Sequence, residues 1–254
     1  MKPYFSGGGV DLYLGDCREI LPTLDVLADA AVTDPPYAET SLKWDRWVTG
    51  WIEALAPRLK PSASLWSFGS FKMFAERLPE FASWRIAQDL VWEKHNGSGF
   101  HADRFKRVHE LAVQFYRRGA RWEDVYKNPV KTMDAVAKVI RRKKRPPHMG
   151  GIDAAAYVSL DGGPRFMRSV IYARSCHGHA ENETQKPEEV VEPLIRYSVP
   201  VGGLVIDCFA GSGTTLVSAA TVGRHAIGIE LRESQCEIAA RRVQERLAQH
   251  PGVL

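Results

Sequence analysis

A chain of 254 residues with 44% apolar and 25% charged side chains has the make-up of an ordinary globular α/β protein, long enough for one large domain with a substantial core. No apolar stretch reaches the roughly 20 residues that span a bilayer, no basic-then-apolar leader is evident, and the four cysteines show no CxxC spacing; a membrane role is excluded and a reducing cytoplasm expected. The formal charge of +4 is unevenly spread: residues 101–150 carry 14 Lys/Arg against 5 Asp/Glu, a basic patch suited to a polyanion such as nucleic acid.

In chain order, VDLYLGD (10–16) reads as a strand, with Asp16 and Cys17 at its end. The next strand, AAVTD (30–34), runs straight into Pro35, Pro36 and Tyr37. Proline fixes its own φ and pushes the preceding residue towards extended geometry, so Asp34-Pro35-Pro36-Tyr37 is stiff, non-helical and short of two backbone donors. The stretch DRWVTGWIEALAPRL (45–59) repeats apolar residues at helical spacing, with Trp47 and Trp51 assigned to the core. Strands follow at ASLWSFG (63–69), WRIAQDLVWEK (84–94) and HELAVQFYR (109–117), and His109 and Glu110 in the last are read as structural.

Between Gly119 and about Arg174 the alternation fails, and this span contains VIRRKKRPPHMGG (139–151). It resumes with a helix from about Pro187, a strand GLVIDCF (203–209), a helix from Thr214, a strand HAIGIE (225–230) and a helix from Glu233 to Gln249. Such alternation predicts an α/β fold, a mostly parallel sheet with helices on both faces. One domain is expected from residues 1–118 together with 176–254, interrupted by a basic insertion at 119–175. The CHGH stretch (176–179) has no partner cluster, so no metal is assigned.

DCFAGSGTTL (207–216) follows a strand and opens a helix, where glycines let a backbone approach a ligand at the carboxyl edge of a sheet. It departs from the dinucleotide fingerprint, because Leu216 takes the third glycine position, and it lacks the lysine of a phosphate loop. Glu230 ends the next strand, near the separation at which an acid reaches ribose hydroxyls. A nucleoside without phosphates fits these residues, and S-adenosylmethionine is one.

TDPPY (33–37), DCFAGSGTT (207–215), IGIE (227–230), LYLGDC (12–17) and TQKP (184–187) together resemble the amino-group DNA methyltransferases. Their order, with acceptor segment first and cofactor loop last around a central recognition region, is that of the family's β group. The resemblance implies a Rossmann-like methyltransferase fold and transfer of a methyl group from S-adenosylmethionine to adenine N6 in double-stranded DNA, with the base turned out of the helix. It implies Asp34 and the Pro35 carbonyl as acceptors for the amino group, stiffened by Pro36, with Tyr37 stacked on the base. It implies a cofactor site of Asp16, Cys17, Asp34, Thr184, Lys186, Asp207, Phe209, Gly211, Gly213, Thr214 and Glu230, with Lys186 near the methionine carboxylate. The histidine that precedes TQKP in the family is displaced here, since His179 is followed by AENETQKP. Arg141, Arg142, Lys143, Lys144 and Arg145 are expected on DNA phosphates. Cytosine N4 is the rival target within the same chemistry, although its enzymes carry Ser more often than Asp before Pro-Pro-Tyr. A DNA-binding relative without activity is the other alternative; a homodimer and an accompanying restriction enzyme are left open.

Overall fold

The computed structural model describes residues 2–98, 102–140, 157–176 and 184–249. They divide into a larger unit, Met1–Asn128 with Ser169–Leu254, and a smaller one, Pro129–Arg168. The smaller unit falls within the 119–175 span; the flanking residues of that span belong with the larger one, where Val170–Ala173 forms a strand.

The larger unit is built on a nine-stranded sheet. Its strands are β1 (Phe5–Gly7), β2 (Val10–Leu14), β3 (Ala28–Thr33), β4 (Leu59–Gly69), β5 (Trp84–Ser98), β6 (Arg107–Arg117), β11 (Val170–Ala173), β12 (Leu204–Asp207) and β13 (His225–Glu230). The smaller unit holds two short antiparallel pairs, β7 (Lys131–Thr132) with β10 (Arg165–Phe166) and β8 (Lys138–Ile140) with β9 (Tyr157–Ser159). In the large sheet the order is β1-β2-β13-β12-β3-β4-β6-β5-β11. Among these strands β1 and β6 alone run against the rest. The central strands are apolar on both faces, with Ala28, Ala30, Ala31 and Val32 of β3 and Val205 and Ile206 of β12 fully buried, as a parallel sheet covered by helices requires.

The helices are α1 (Cys17–Ile20), α2 (Trp51–Leu55), α3 (Phe71–Arg77), α4 (Glu188–Ser198), α5 (Thr214–Thr221) and α6 (Glu233–Gln249). In α4 the buried residues Val190, Val191, Leu194 and Ile195 form one stripe, the signature of a helix laid on a sheet. The helical pattern of 45–59 yields a helix only over Trp51–Leu55 and a 3-10 turn over Ala56–Arg58. Gly50, at φ 90°, interrupts it, and the Asp45 carboxylate is instead committed to the backbone N–H groups of Ala38, Glu39 and Thr40 at 2.7–3.0 Å. Trp51 is nonetheless fully buried and Trp47 packs on the core edge. An aromatic cluster lies there: Phe81 stacks on Phe115 at 4.4 Å, and Trp51 meets Phe81 and Phe209 edge-on at 6.1 and 5.6 Å.

Candidate active site

From β12 the chain proceeds through α5 to β13, whereas β3 leads the other way to β4, so the carboxyl ends of β3 and β12 diverge. Such a divergence opens a crevice where ligands bind. A cavity of about 390 Å³ lies there. The ends of β2, β3, β4, β12 and β13 reach it, and β6, being reversed, brings its beginning to the same edge: Phe68 of β4 pairs with Ala112 and Gly69 with Leu111.

The cavity is lined by the expected cofactor residues Asp16, Cys17, Asp207, Phe209, Gly211, Thr214 and Glu230. Gly211, at φ 50°, turns its N–H onto Glu230 Oε2 at 2.9 Å. Glu230 Oε1 accepts from the N–H and Nε of Arg232 at 2.9 and 3.2 Å, and the Arg232 guanidinium lies 4.7 Å over the Trp44 ring. Asp16 caps α1 by accepting from the Arg18 N–H at 2.9 Å, and hydrogen bonds from the Arg18 side chain hold its carboxyl below the usual range. Gly213 does not reach the cavity. At φ 81° it faces α6, where a Cβ would come within 2.8 Å of Ala239 Cβ; its lack of a side chain serves the packing of α5 on α6.

Asp207 lines the cavity at the end of β12, accepting from Thr33 Oγ1 at 2.8 Å and the Phe209 N–H at 3.0 Å. Burial raises its carboxyl from 3.8 to about 6, against the opposing hydrogen bonds. The native state therefore binds this proton more tightly than the unfolded chain does. The stabilisation is full below about pH 4 and lost as pH rises through about 6. Asp207→Asn removes the titration, so its stability relative to the unaltered protein should rise by on the order of 2 kcal/mol between about pH 4 and pH 7. Denaturant unfolding at both pH values reads this; a pH-independent difference would refute it.

The acceptor segment lines the same cavity. Asp34, Pro35, Pro36 and Tyr37 line the cavity, as do Thr184 and Lys186. The Tyr37 hydroxyl donates to Asp34 Oδ1 at 2.6 Å, and Lys186 Nζ donates to Asp34 Oδ2. Burial pushes the Asp34 carboxyl up; nearby Glu110 adds to this and Lys186 opposes it. Burial, with Asp34 and Glu110, pushes Tyr37 well above 10, so it remains a neutral donor. Ala38, beyond Tyr37, has φ 58°, a left-handed conformation held by the three N–H bonds to Asp45.

Sequence reasoning missed Glu110 and Lys94. Glu110, read as structural, lines the cavity and accepts from Lys94 Nζ, while its Oε2 lies 3.3 Å from Lys186 Nζ. Burial would raise its carboxyl, but the two ammonium groups prevail and hold it down to about 2. The β5–β6 register, with Trp92 opposite Glu110, brings Lys94 to it diagonally. Of the other expected residues, Arg141, Arg142, Lys143, Lys144 and Arg145 lie outside the described residues, as do His177 and His179. Among the described residues no cluster of His, Cys, Asp and Glu could hold a metal, and no helix is long and apolar enough to cross a membrane.

The chain is similar to known methyltransferases. The Type II methyltransferase M.ScaI of Streptomyces caespitosus is 25% identical over 96% of this chain and 84% of its own length. The structure of the M1.HpyAVI–SAM complex superposes with a TM-score of 0.64 at 21% identity, covering 92% of this chain and 98% of that one. The PvuII DNA methyltransferase, described as cytosine-N4-specific, gives a TM-score of 0.59 at 15% identity over 98% and 94% of the two chains. The fold is that of the S-adenosylmethionine-dependent DNA methyltransferases. The N6/N4 methyltransferase family model, described as DNA methylase, matches residues 28–241, and the chain belongs to that family.

Proposed function

We propose that this DNA methylase transfers the methyl group of S-adenosylmethionine to adenine N6 in duplex DNA, with the target base everted into the cavity. The observation that carries the reading is the shared cavity, lined both by a rigid Asp-Pro-Pro-Tyr segment and by the glycine turn with Glu230. The donor set fits the cofactor. Glu230 and Asp16 are carboxylates suited to hydroxyl and amino groups, and Thr184 and Gln185 supply polar groups suited to its amino-acid end, while Lys186 is engaged by Asp34 and Glu110. When bound, the cofactor supplies a methyl group made electrophilic by its sulfonium.

The remaining work falls to the chain. An aromatic amine is a weak nucleophile because its lone pair is delocalised into the ring. Acceptance of its two hydrogens by Asp34 and the Pro35 carbonyl favours the pyramidal form whose lone pair is free to attack. Two prolines keep this acceptor pair rigid, so little reorganisation accompanies reaction. An Asp34 carboxyl raised by burial is also suited to take the proton that the amino nitrogen sheds after methylation. Asp rather than Ser before Pro-Pro-Tyr favours adenine. Cytosine N4 is the second reading, supported by the likeness to the PvuII enzyme. Sequencing DNA from cells that express the protein, with detection of modified bases, tests both: N4-methylcytosine would replace the first reading by the second.

Residues 119–175 are proposed as the target-recognition region, with the Arg141–Arg145 run contacting phosphates. Each lost phosphate contact should flatten the salt dependence of DNA binding by roughly one unit of slope, for all sequences alike. Neutralising all five residues should therefore leave weaker binding and a shallower slope. An unchanged slope refutes phosphate contact, and an altered methylation site would reassign the run to base reading.

A further inference from the structure

Lys186 divides its charge between two carboxylates. Its Nζ donates to Asp34 Oδ2 and lies 3.3 Å from Glu110 Oε2, an atom that accepts no hydrogen bond among the described residues. The ammonium is nearly enclosed, with the rings of Phe68 and Tyr37 centred 5.4 and 5.7 Å away. The other Glu110 oxygen is held by Lys94, itself 4.6 Å over the Trp92 ring. Glu110 is thus anchored from one side and open towards Lys186 on the other. A cation on Asp34 opposes methyl transfer in two ways: it draws off the acceptor charge that grips the target amino group, and it repels the positive charge developing on the attacking nitrogen.

We propose that Glu110 is a positioning residue that draws Lys186 off Asp34 as the target amino group binds, leaving the Asp34 carboxylate to the substrate. This rests on the methyl-transfer reading above. The displacement is short, because both carboxylates already touch the same ammonium, and it leaves no buried charge without a partner. The sequence offers no hint of it, since Glu110 is 76 positions from Asp34 on a strand that reads as core.

The test compares Glu110→Gln with the double variant Glu110→Gln/Lys186→Met in single-turnover methylation at saturating cofactor. With a neutral side chain at 110 the ammonium stays on Asp34. Turnover should fall roughly tenfold to a hundredfold, while DNA KM and cofactor Kd stay within about threefold. Removing Lys186 as well should restore turnover at least about tenfold over the single variant, a rescue that a merely structural Glu110 would not give. A Glu110→Gln enzyme as fast as the unaltered one, or a double variant no faster than the single, overturns the proposal. Should Glu110→Gln fail to fold, the unaltered enzyme decides. In its complex with S-adenosylhomocysteine and duplex DNA, Lys186 Nζ is expected nearer Glu110 than Asp34, and retention on Asp34 overturns the idea. Unaltered enzyme that methylates no DNA would remove the functional reading itself; a normal wild-type rate with either adverse result removes this inference alone.

Discussion

Asp34→Ala is expected to lower turnover by at least about a hundredfold, the scale of one lost transition-state contact. On the proposed mechanism the variant deletes one of the two acceptors for the target amino group and leaves the Pro35 carbonyl alone, so the amino nitrogen keeps its delocalised lone pair. The fold should survive. Lys186, deprived of Asp34, still has Glu110 Oε2 at 3.3 Å, so no buried ammonium is stranded. Cofactor affinity should change less, because Glu230 and the Gly211 turn are held by hydrogen bonds in which Asp34 takes no part. Radiolabelled methyl incorporation into DNA, with calorimetry of S-adenosylmethionine binding alongside, separates the two effects. Incorporation near the unaltered rate would remove Asp34 from the reaction.

Glu230→Ala is expected to weaken cofactor binding by roughly tenfold to a hundredfold, from the loss of hydrogen bonds to a charged acceptor worth about 1.5–3 kcal/mol. The carboxylate has two duties here. It accepts from the Gly211 N–H and from Arg232, shaping the glycine turn, and it offers its remaining lone pairs to the cavity. Both duties push affinity in the same direction. Thermal unfolding without cofactor isolates the first, and calorimetric affinity reports their sum. Undiminished affinity would show that Glu230 does not hold the cofactor.

Much of this was legible in the sequence, for reasons that can be named. The strand His225–Glu230 and the helix Glu233–Gln249 match their patterns, because a continuous apolar run and an amphipathic stripe are local signals that nothing tertiary opposes. Residues 45–59 were less legible: the tryptophan spacing implies one continuous helix, yet Trp47 packs from a loop that precedes Gly50 and only Trp51 is buried from the short helix α2. The same contrast holds in the site. Asp34 and Glu230 announce themselves, the first by its prolines and the second by its distance from the glycine turn. Glu110 and Lys94 carry no local mark. They become site residues only through the register of an antiparallel pair, and reversed β6 presents its start where a parallel strand would present its end.

The pairing of β12 with β3 also bears on how the enzyme is made. Thr33 and Asp207, joined in the finished site, are 174 positions apart. At translation speeds of about 5–20 residues per second, roughly 10 to 35 seconds separate the two from the ribosome's exit. Throughout that interval β3 has a neighbour on its β4 side alone, and its other edge stays open for want of β12. A nascent chain thus carries the acceptor segment long before it has the glycine turn, and it cannot modify DNA until nearly all of it has been synthesised. Such distant pairing slows folding and leaves an adhesive edge waiting, so yield in recombinant expression should respond to chaperone supply more than the stability of the finished protein would suggest.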